Sequence, residues 1–214
     1  PVNPTGVSMP VEILRRAIAG REGPVIIDES FIEFSDLESA VWWTDSHPNL
    51  LVLRSLSKFH ALPGLRIGAL VGSKEWMDRL GRRRSAVRRH HRARRRREPW
   101  QVSTLAEAAA LAALADSQHA ARTRALVASE RRWLMDQMSQ LPGLHIAPGV
   151  ANFLFAETDR PAREICDWFL DRKIILRNCT ALPGVSGEAI RFAVRTRPEN
   201  ERFVANAKEF FCEG

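Results

Sequence analysis

The chain has 214 residues and a formal net charge of +7 at pH 7, and 45% of its residues are hydrophobic. This length suits one domain of ordinary size or two small ones, and no apolar stretch is long enough to cross a bilayer. Its three cysteines, Cys166, Cys179 and Cys212, lack the spacing of metal ligands, which favours reduced thiols in a cytoplasmic protein over a disulfide framework or a metal site.

The first predicted elements alternate between helix and strand. Apolar residues at helical spacing predict a helix over 10–19, with Ser8 as its N-cap. Continuous apolar runs predict strands over 25–29, 50–54 and 67–71. Strands that are apolar on both faces are typical of a mostly parallel sheet covered by helices on both sides, so we predict an α/β fold.

The second strand leads into the run Arg54-Ser-Leu-Ser-Lys-Phe59, in which Lys58 is the most informative residue. A lysine amine can form a Schiff base with an aldehyde. The hydroxyls of Ser55 and Ser57, together with the guanidinium of Arg66, can hold a phosphate. The run therefore predicts an amine nucleophile beside an anion site, although a lone lysine is more often a solvated surface group.

Most of the positive charge lies in residues 82–97, where ten of sixteen residues are arginine; without these ten charges the formal net charge would be −3. Clustered arginines can neutralise nucleic-acid phosphates. Like charges at this density also repel one another and favour a solvated loop. We interpret the segment as a loop insertion and keep nucleic-acid binding as the alternative.

The second half of the chain begins with an alanine-rich helix over 104–141, which we expect to break near Ala115-Asp116 and to end at Pro142-Gly143. The remainder has the pattern of a compact α+β unit. Its predicted strands cover 144–147, 152–156, 174–177 and 189–194, and its predicted helices cover 161–170 and 198–211.

Three motifs in a fixed order carry a resemblance. They are Asn3-Pro-Thr-Gly6, the strand Val25-Ile-Ile-Asp28-Glu29 and the run Ser55-Leu-Ser-Lys58. With their flanking strands they resemble the class I/II aminotransferase family, the pyridoxal-phosphate enzymes of fold type I. The resemblance implies part of a large cofactor-binding domain in residues 1–103, followed by a connector helix and a small α+β domain in residues 104–214.

The resemblance implies that the cofactor is pyridoxal 5'-phosphate. Lys58 would be the catalytic residue that bonds it covalently. Asp28 would pair with the protonated pyridine nitrogen, so that the ring can accept electrons. Arg66, Ser55 and Ser57 would bind the phosphate. We expect Asp28, Lys58 and Arg66 to line one cleft at the carboxyl ends of the strands.

Further roles follow from the same resemblance. Asn3 would bind the phenolic oxygen of the cofactor, and Phe31 stands where some relatives have a tyrosine that shares this task. Arg191 matches the family's clamp for the substrate α-carboxylate, because a planar guanidinium binds a carboxylate through two hydrogen bonds. Arg177 and Arg195 would bind a substrate phosphate or carboxylate. The alternative for these arginines is an ordinary exposed position on a strand.

The segments 28–34, 99–106 and 191–200 favour the branch that contains threonine-phosphate decarboxylase and histidinol-phosphate aminotransferase. Phe31 resembles the decarboxylase, which acts in cobalamin biosynthesis, more than the aminotransferase. The expected function is therefore a pyridoxal-phosphate enzyme acting on a phosphorylated amino acid, with the transaminase as the alternative.

The chain begins directly at the first family motif, at Val2-Asn3-Pro4. Family members have well over a hundred residues before this motif. We therefore expect a truncated fragment of an enzyme that would be a homodimer when complete. A catalytically inactive remnant is the alternative.

Overall fold

The computed structural model describes residues 1–80 and 102–213, so the arginine-rich segment 82–97 lies outside the described residues. The chain divides into two compact units. The first unit is Pro10–Ala120, and the second unit combines Pro1–Met9 with Ala121–Gly214. This division differs from the predicted boundary at residues 103 and 104, because the first nine residues belong with the C-terminal part and the first half of the alanine-rich region belongs with the N-terminal part.

The first unit contains a three-stranded sheet in the order β1-β2-β3. Its elements are α1 (Val11–Ala19), β1 (Val25–Asp28), β2 (Leu50–Ser55), α2 (Leu56–Phe59), β3 (Gly68–Gly72), the helical residues 74–80 (α3) and α4 (Thr104–Ala115). β1 and β2 are parallel, as the apolar runs predict, whereas β2 and β3 are antiparallel. The connection from β2 to β3 holds only the four-residue helix α2 and a short turn, without the longer helix that usually crosses the sheet between parallel strands.

One face of this sheet forms the core of the first unit. Leu50 and Val52 of β2 are fully buried and pack in one cluster with Ile18 of α1 and with Trp43. On the opposite side, Ile26 is 64% exposed. The predicted N-cap of α1 is wrong, because the helix begins directly after Pro10 and no side chain caps it.

The second unit is built on a four-stranded antiparallel sheet in the order β4-β5-β7-β6. Its elements are α5 (Ser117–Met138, in this unit from Ala121 onward), β4 (Leu144–Ile146), β5 (Phe153–Thr158), α6 (Ala162–Asp171), β6 (Arg177–Asn178), β7 (Ala189–Ala193), α7 (Arg197–Lys208) and a π-helical turn, Glu209–Glu213. The break predicted near Ala115-Asp116 is confirmed, since α4 ends at Ala115 and α5 begins at Ser117.

The predicted strand over 174–177 is mostly wrong. The backbone N–H of Ile174 donates to the carbonyl of Phe169 at 2.9 Å, so this residue still closes the end of α6. Lys173 has a φ of 60°, which reverses the chain at this point. Only Arg177 and Asn178 remain to pair with β7.

A charge pair between a buried glutamate and a half-exposed arginine joins two helices of the second unit. Glu130 of α5 is 5% exposed and accepts hydrogen bonds from Arg197 Nε and Nη2 and from Asn200 Nδ2, at 3.0 to 3.2 Å. Beneath it, Phe203 of α7 packs against Phe169 and Phe192 at ring-centroid distances of 5.0 and 4.9 Å. Among the helices in residues 1–80 and 102–213, none is both long and apolar enough to cross a membrane.

Candidate active site

The segment that joins β2 to α2 brings an amine and two hydroxyls together. β2 ends at Ser55 and α2 begins at the next residue. Ser55 Oγ and Ser57 Oγ lie 2.8 Å apart, and Lys58 Nζ donates to Ser55 Oγ at 3.4 Å. Lys58 is exposed, so its amine is accessible from solvent.

Two more of the predicted residues come from the end of β1. Asp28 is its last residue and is directly opposite Leu53 in the parallel pairing, so β1 and β2 end at the same edge of the sheet. The Asp28 carboxylate is exposed and accepts a hydrogen bond from the backbone N–H of Ser30 at 2.8 Å. Lys58 Nζ lies 4.8 Å from the centroid of the Phe31 ring. The structure thus places Phe31 against the amine and Asp28 at the same edge.

Arg66 is held near these hydroxyls by backbone pairing. It is exposed and lies in a tight turn with a φ of 51°. The next residue, Ile67, accepts a hydrogen bond from the N–H of Leu56, and Gly68 is opposite Ser55 in the β2–β3 register. A side chain at Gly68 would approach the carbonyl oxygen of Arg54 to 2.5 Å, so only glycine permits this close pairing.

In the second unit, two predicted residues from opposite ends of the chain are in contact. Arg191 of β7 donates from Nη1 to Asn3 Oδ1, and its guanidinium carbon lies 4.8 Å from the centroid of the Phe153 ring. The N-terminal loop is fixed by a hydrogen bond from the N–H of Val150 to the carbonyl of Gly6 at 2.8 Å. Gly6 is buried and has a φ of 72°, and a side chain there would meet Gly149 and Phe153 at 3.3 Å. Both the backbone conformation and the close packing therefore favour glycine.

Arg177 is directly opposite Arg191 in the β6–β7 pairing, so both side chains project from the same face of the sheet. Burial raises the pKa of the Cys179 thiol, and the positive charges of Arg191 and Arg177 oppose this shift. The two guanidiniums therefore create a local positive potential on this face, which suits an anionic ligand.

Arg195 already has a carboxylate partner within the chain. It donates from Nε and Nη2 to Glu199 Oε1, at 3.1 and 2.5 Å, in the first turn of α7. Together with a hydrogen bond from Thr196, this lowers the pKa of Glu199 to about 2. The role predicted for Arg195 in substrate binding stays a prediction.

A charged cluster next to the lysine segment was not predicted from the sequence. Arg54 Nη1 lies 3.3 Å from Glu29 Oε2, and Arg54 Nη2 lies 3.1 Å from Glu33 Oε1. His60 Nε2 lies 3.6 Å from the same oxygen of Glu33. One signal was available: Glu29 and Arg54 are charged residues at the ends of two apolar runs that were both predicted to be strands.

The family model for aminotransferase class I and II matches residues 1–206, and the chain belongs to this family. It is 35% identical over 210 residues to a threonine-phosphate decarboxylase from Salmonella typhimurium, covering 96% of this chain and 54% of that protein. It is 28% identical over 212 residues to a histidinol-phosphate aminotransferase from Methanosphaera stadtmanae, covering 98% and 54%. The chain spans about half the length of these curated relatives.

Solved structures show the same fold. The histidinol-phosphate aminotransferase of Clostridium acetobutylicum matches with a TM-score of 0.87 and 23% identity, covering 99% of this chain and 62% of that one. The enzyme of the same name from Sinorhizobium meliloti, described in complex with pyridoxal-5'-phosphate, matches with a TM-score of 0.81 and 23% identity, covering 99% and 55%. The mixed α/β chain is therefore part of fold type I.

Pyridoxal phosphate is the cofactor of this family, and the residues present fit it. The first unit offers two hydroxyls, an amine and a guanidinium, a set of donors that suits a phosphate and an aldehyde. It also offers a carboxylate at the edge where open α/β sheets bind ligands. Phe31 adds an apolar ring surface beside the amine.

Proposed function

We propose that the protein is a pyridoxal-phosphate enzyme that acts on a phosphorylated amino acid or amine, and that it resembles threonine-phosphate decarboxylase in its reaction. The observation that carries this proposal is the contact of the Lys58 amine with Ser55 and with the ring of Phe31, at the sheet edge where β1 ends on Asp28.

The candidate site residues of the first unit have separate roles toward the cofactor. When bound, pyridoxal phosphate draws electrons from the substrate α-carbon through its protonated pyridine ring. Lys58 Nζ would hold the cofactor covalently through its aldehyde. Asp28 keeps the pyridine nitrogen protonated, because a carboxylate close to the ring favours its charged form. Ser55, Ser57 and Arg66 bind the phosphate and so fix the orientation of the cofactor.

The second unit supplies the groups for the substrate. Arg191 binds the α-carboxylate, and its hydrogen bond to Asn3 fixes the plane of the guanidinium. Arg177, on the same face of the sheet, adds positive charge for a phosphate or a second carboxylate. Holding the carboxylate also sets which bond of the α-carbon is aligned for cleavage, and this alignment separates decarboxylation from transamination.

Phe31 supports the decarboxylase over the transaminase. It has no hydroxyl to donate to the phenolic oxygen of the cofactor, so we assign that contact to Asn3. Sequence identity does not separate the two reactions, because relatives of both names reach 35%. A histidinol-phosphate aminotransferase activity is the second candidate, because relatives of that name match nearly the whole chain as well.

The first test is covalent binding of the cofactor. Purified protein is incubated with pyridoxal phosphate, reduced with borohydride and digested, and the modified lysine is identified by mass spectrometry. We expect the adduct on Lys58, its loss in Lys58→Ala, and its retention in the control Lys74→Ala, because Lys74 is an exposed lysine paired with Asp78 at 2.9 Å. A modification spread over all lysines would contradict the proposal.

The second test separates the two reactions. With threonine phosphate, we expect release of carbon dioxide without formation of a keto acid, and loss of this activity in Lys58→Ala. Formation of glutamate from 2-oxoglutarate and histidinol phosphate would favour the transaminase instead. Absence of both activities in protein that binds the cofactor on Lys58 would favour the inactive alternative.

The proposal includes three finer expectations. A decarboxylase of this kind would act in cobalamin biosynthesis, in the cytoplasm, and as a homodimer. The threonine-phosphate decarboxylase among the relatives supports the reaction on which the first expectation depends. Sedimentation of the purified protein with and without pyridoxal phosphate tests the third.

A further inference from the structure

We propose that Arg54 is a positioning residue that sets the distance between the Asp28–Phe31 side of the site and the Lys58 amine. This inference rests on the proposed function, because Asp28, Phe31 and Lys58 take their roles from it. The feature that carries it is a charged cluster, defined here as Glu29, Glu33, Ser39, Arg54 and His60, which lies directly behind the site residues.

The cluster joins the two chain segments that carry the site. Arg54 precedes Ser55, and its guanidinium contacts Glu29 at 3.3 Å through Nη1 and Glu33 at 3.1 Å through Nη2. Glu29 directly follows Asp28, and Glu33 lies two residues after Phe31. One planar guanidinium thus contacts carboxylates on both sides of Ser30, next to Asp28 and Phe31, the two residues that the proposed function assigns to the cofactor.

The cluster also holds the lysine segment from its other end. His60 lies two residues after Lys58, its side chain is 4% exposed, and its Nε2 is 3.6 Å from the Glu33 oxygen that Arg54 contacts. Within the described residues, neither ring nitrogen of His60 has a hydrogen-bond partner. Phe59 packs edge-to-face on Phe34 at 5.2 Å, next to Glu33. The segment from Arg54 to His60 thus contacts residues 29–34 at both ends, with Lys58 between them.

Stability alone does not account for this arrangement. Glu29 is 4% exposed, yet its two oxygens already accept hydrogen bonds from Ser39 Oγ at 2.7 Å and from the N–H of Ala40 at 2.6 Å. Neither Arg54 nor its second partner, Glu33, is therefore needed to satisfy the Glu29 carboxylate. Burying additional charge costs desolvation that the ion pair recovers only in part. The second contact restricts the orientation of Arg54, because both of its Nη atoms now bind residues of the same chain segment.

The contact between Lys58 Nζ and the Phe31 ring reports this geometry without any cofactor. The chain has only four lysines, so reductive methylation with ¹³C-formaldehyde gives a simple NMR spectrum. The Lys58 resonance is assigned by its loss in Lys58→Ala. Because Nζ lies 4.8 Å above the ring, we expect the Lys58 resonance upfield of the other lysines, and a shift back in Phe31→Leu.

The deciding variants are Arg54→Gln and Glu33→Gln, each checked for folding by circular dichroism. Glu33→Gln leaves the Arg54–Glu29 pair intact, so it tests the positioning role even if Arg54→Gln does not fold. We expect the Lys58 resonance to move toward the resonances of the other three lysines in both variants. The control Arg163→Gln removes an exposed pair with Asp167 at 3.7 Å and should leave it unchanged. An unmoved resonance in folded Glu33→Gln overturns the proposal.

The same variants are then titrated with pyridoxal phosphate. A small displacement of a reacting group is costly, so we expect the dissociation constant to rise about 10- to 100-fold in both variants and to stay constant in Arg163→Gln. If the wild-type protein forms no adduct on Lys58, the proposed function fails, while the NMR comparison still decides the positioning. If adduct formation and the Lys58 resonance are the same in wild type and variants, only the positioning falls.

Discussion

At the residue scale, Arg191 and Asn3 form a contact that gives one guanidinium a fixed orientation. Arg191 donates to Asn3 Oδ1 and lies over the ring of Phe153, so two neighbours restrict its rotation. A restricted guanidinium loses less conformational entropy when it binds a carboxylate than a free one does. This gives the position a specific role if the substrate carries an α-carboxylate.

We therefore expect Arg191→Ala to weaken binding of threonine phosphate by about 2–4 kcal/mol, the range for losing one partner of a desolvated charge pair. Aminopropanol phosphate, which lacks the carboxylate, should lose little affinity. Arg191→Lys should fall between wild type and Arg191→Ala, because lysine keeps the charge but not the planar pair of donors. Calorimetric titration of both ligands measures the difference, and an equal loss for both would show that Arg191 does not contact the carboxylate.

Part of this residue-scale picture could be predicted from the sequence. Ser55, Ser57 and Lys58 are close in the chain, so a single turn brings their side chains together. The contact between Asn3 and Arg191 spans 188 residues and depends on how the N-terminal loop packs on Gly149 and Val150. The contacts of Arg54 could not be predicted either, because they depend on side-chain directions that the apolar pattern does not specify.

Among the secondary-structure elements, β2 and β3 pair closely next to the lysine segment, so their spacing affects where Ser55 and Lys58 lie. Gly68 is opposite Ser55, and a Cβ there would lie 2.5 Å from the carbonyl oxygen of Arg54. The atom that this Cβ would meet belongs to the backbone, so it cannot rotate away as the end of a flexible side chain could. A substitution at Gly68 must therefore move the strand that carries Arg54 and Ser55.

We expect Gly68→Ala to lower the free energy of unfolding by about 1–3 kcal/mol through overpacking, and to weaken pyridoxal phosphate binding as well. The matched control is Gly23→Ala, where a Cβ would meet nothing within 4 Å. Urea denaturation and cofactor titration of both variants provide the comparison. Loss of stability with full cofactor affinity would show that the pairing does not position the lysine segment.

The Glu130–Arg197 pair connects α5 to α7 and predicts a dependence of stability on pH. Hydrogen bonds from Arg197 lower the pKa of Glu130 in the folded protein, and burial opposes this effect. A lowered folded-state pKa means that the pair stabilises the fold above the ordinary pKa of a carboxyl. This contribution is lost as the pH falls through the lowered value.

Glu130→Gln should therefore reduce the free energy of unfolding at pH 7 by about 2 kcal/mol, the usual contribution of hydrogen bonds to a charged group. The difference from wild type should shrink as the pH is lowered toward 3. The control Glu164→Gln changes an exposed glutamate and should give nearly parallel curves. Urea denaturation at several pH values measures this, and a difference that does not change with pH would contradict the assignment.

Helices and strands could be predicted wherever the pattern is local. α1, α4, α5, α6 and α7 follow from apolar spacing, and β5 and β7 follow from apolar runs. The residues over 174–177 show the limit, because an apolar run there closes a helix instead of forming a strand. The apolar run of β3 does not specify its direction either, since such a run suits a parallel or an antiparallel partner; the short connection from β2 accounts for the antiparallel pairing.

At the scale of the whole molecule, the distribution of charge is the most unusual property. Ten arginines within residues 82–97 change the formal net charge from −3 to +7. A polycation of this density binds polyanions mainly through counterion release, which depends steeply on salt. None of the proposed catalytic roles uses this segment.

Deletion of 82–97 should therefore abolish salt-sensitive retention on a phosphate polymer, while covalent binding of pyridoxal phosphate to Lys58 persists. Substituting its arginines by lysines should keep most of the retention, because the effect depends on charge rather than on the planar guanidinium. Elution salt and adduct yield are the two measurements. Retention that survives the deletion would place the polyanion contact elsewhere in the chain.

The membership of the first nine residues in the second unit has a consequence for the order of events during synthesis. Residues 10–120 form a contiguous body whose contacts can close while the rest of the chain is still being made. The other body is discontinuous, and Asn3 cannot form its contact until Arg191, 188 residues later in the chain, has been synthesised. Closing so long a loop is slow, since the entropy of the intervening chain is lost before the contact forms. The lysine segment can thus fold early, whereas Arg191 acquires its neighbour Asn3 among the last contacts to form.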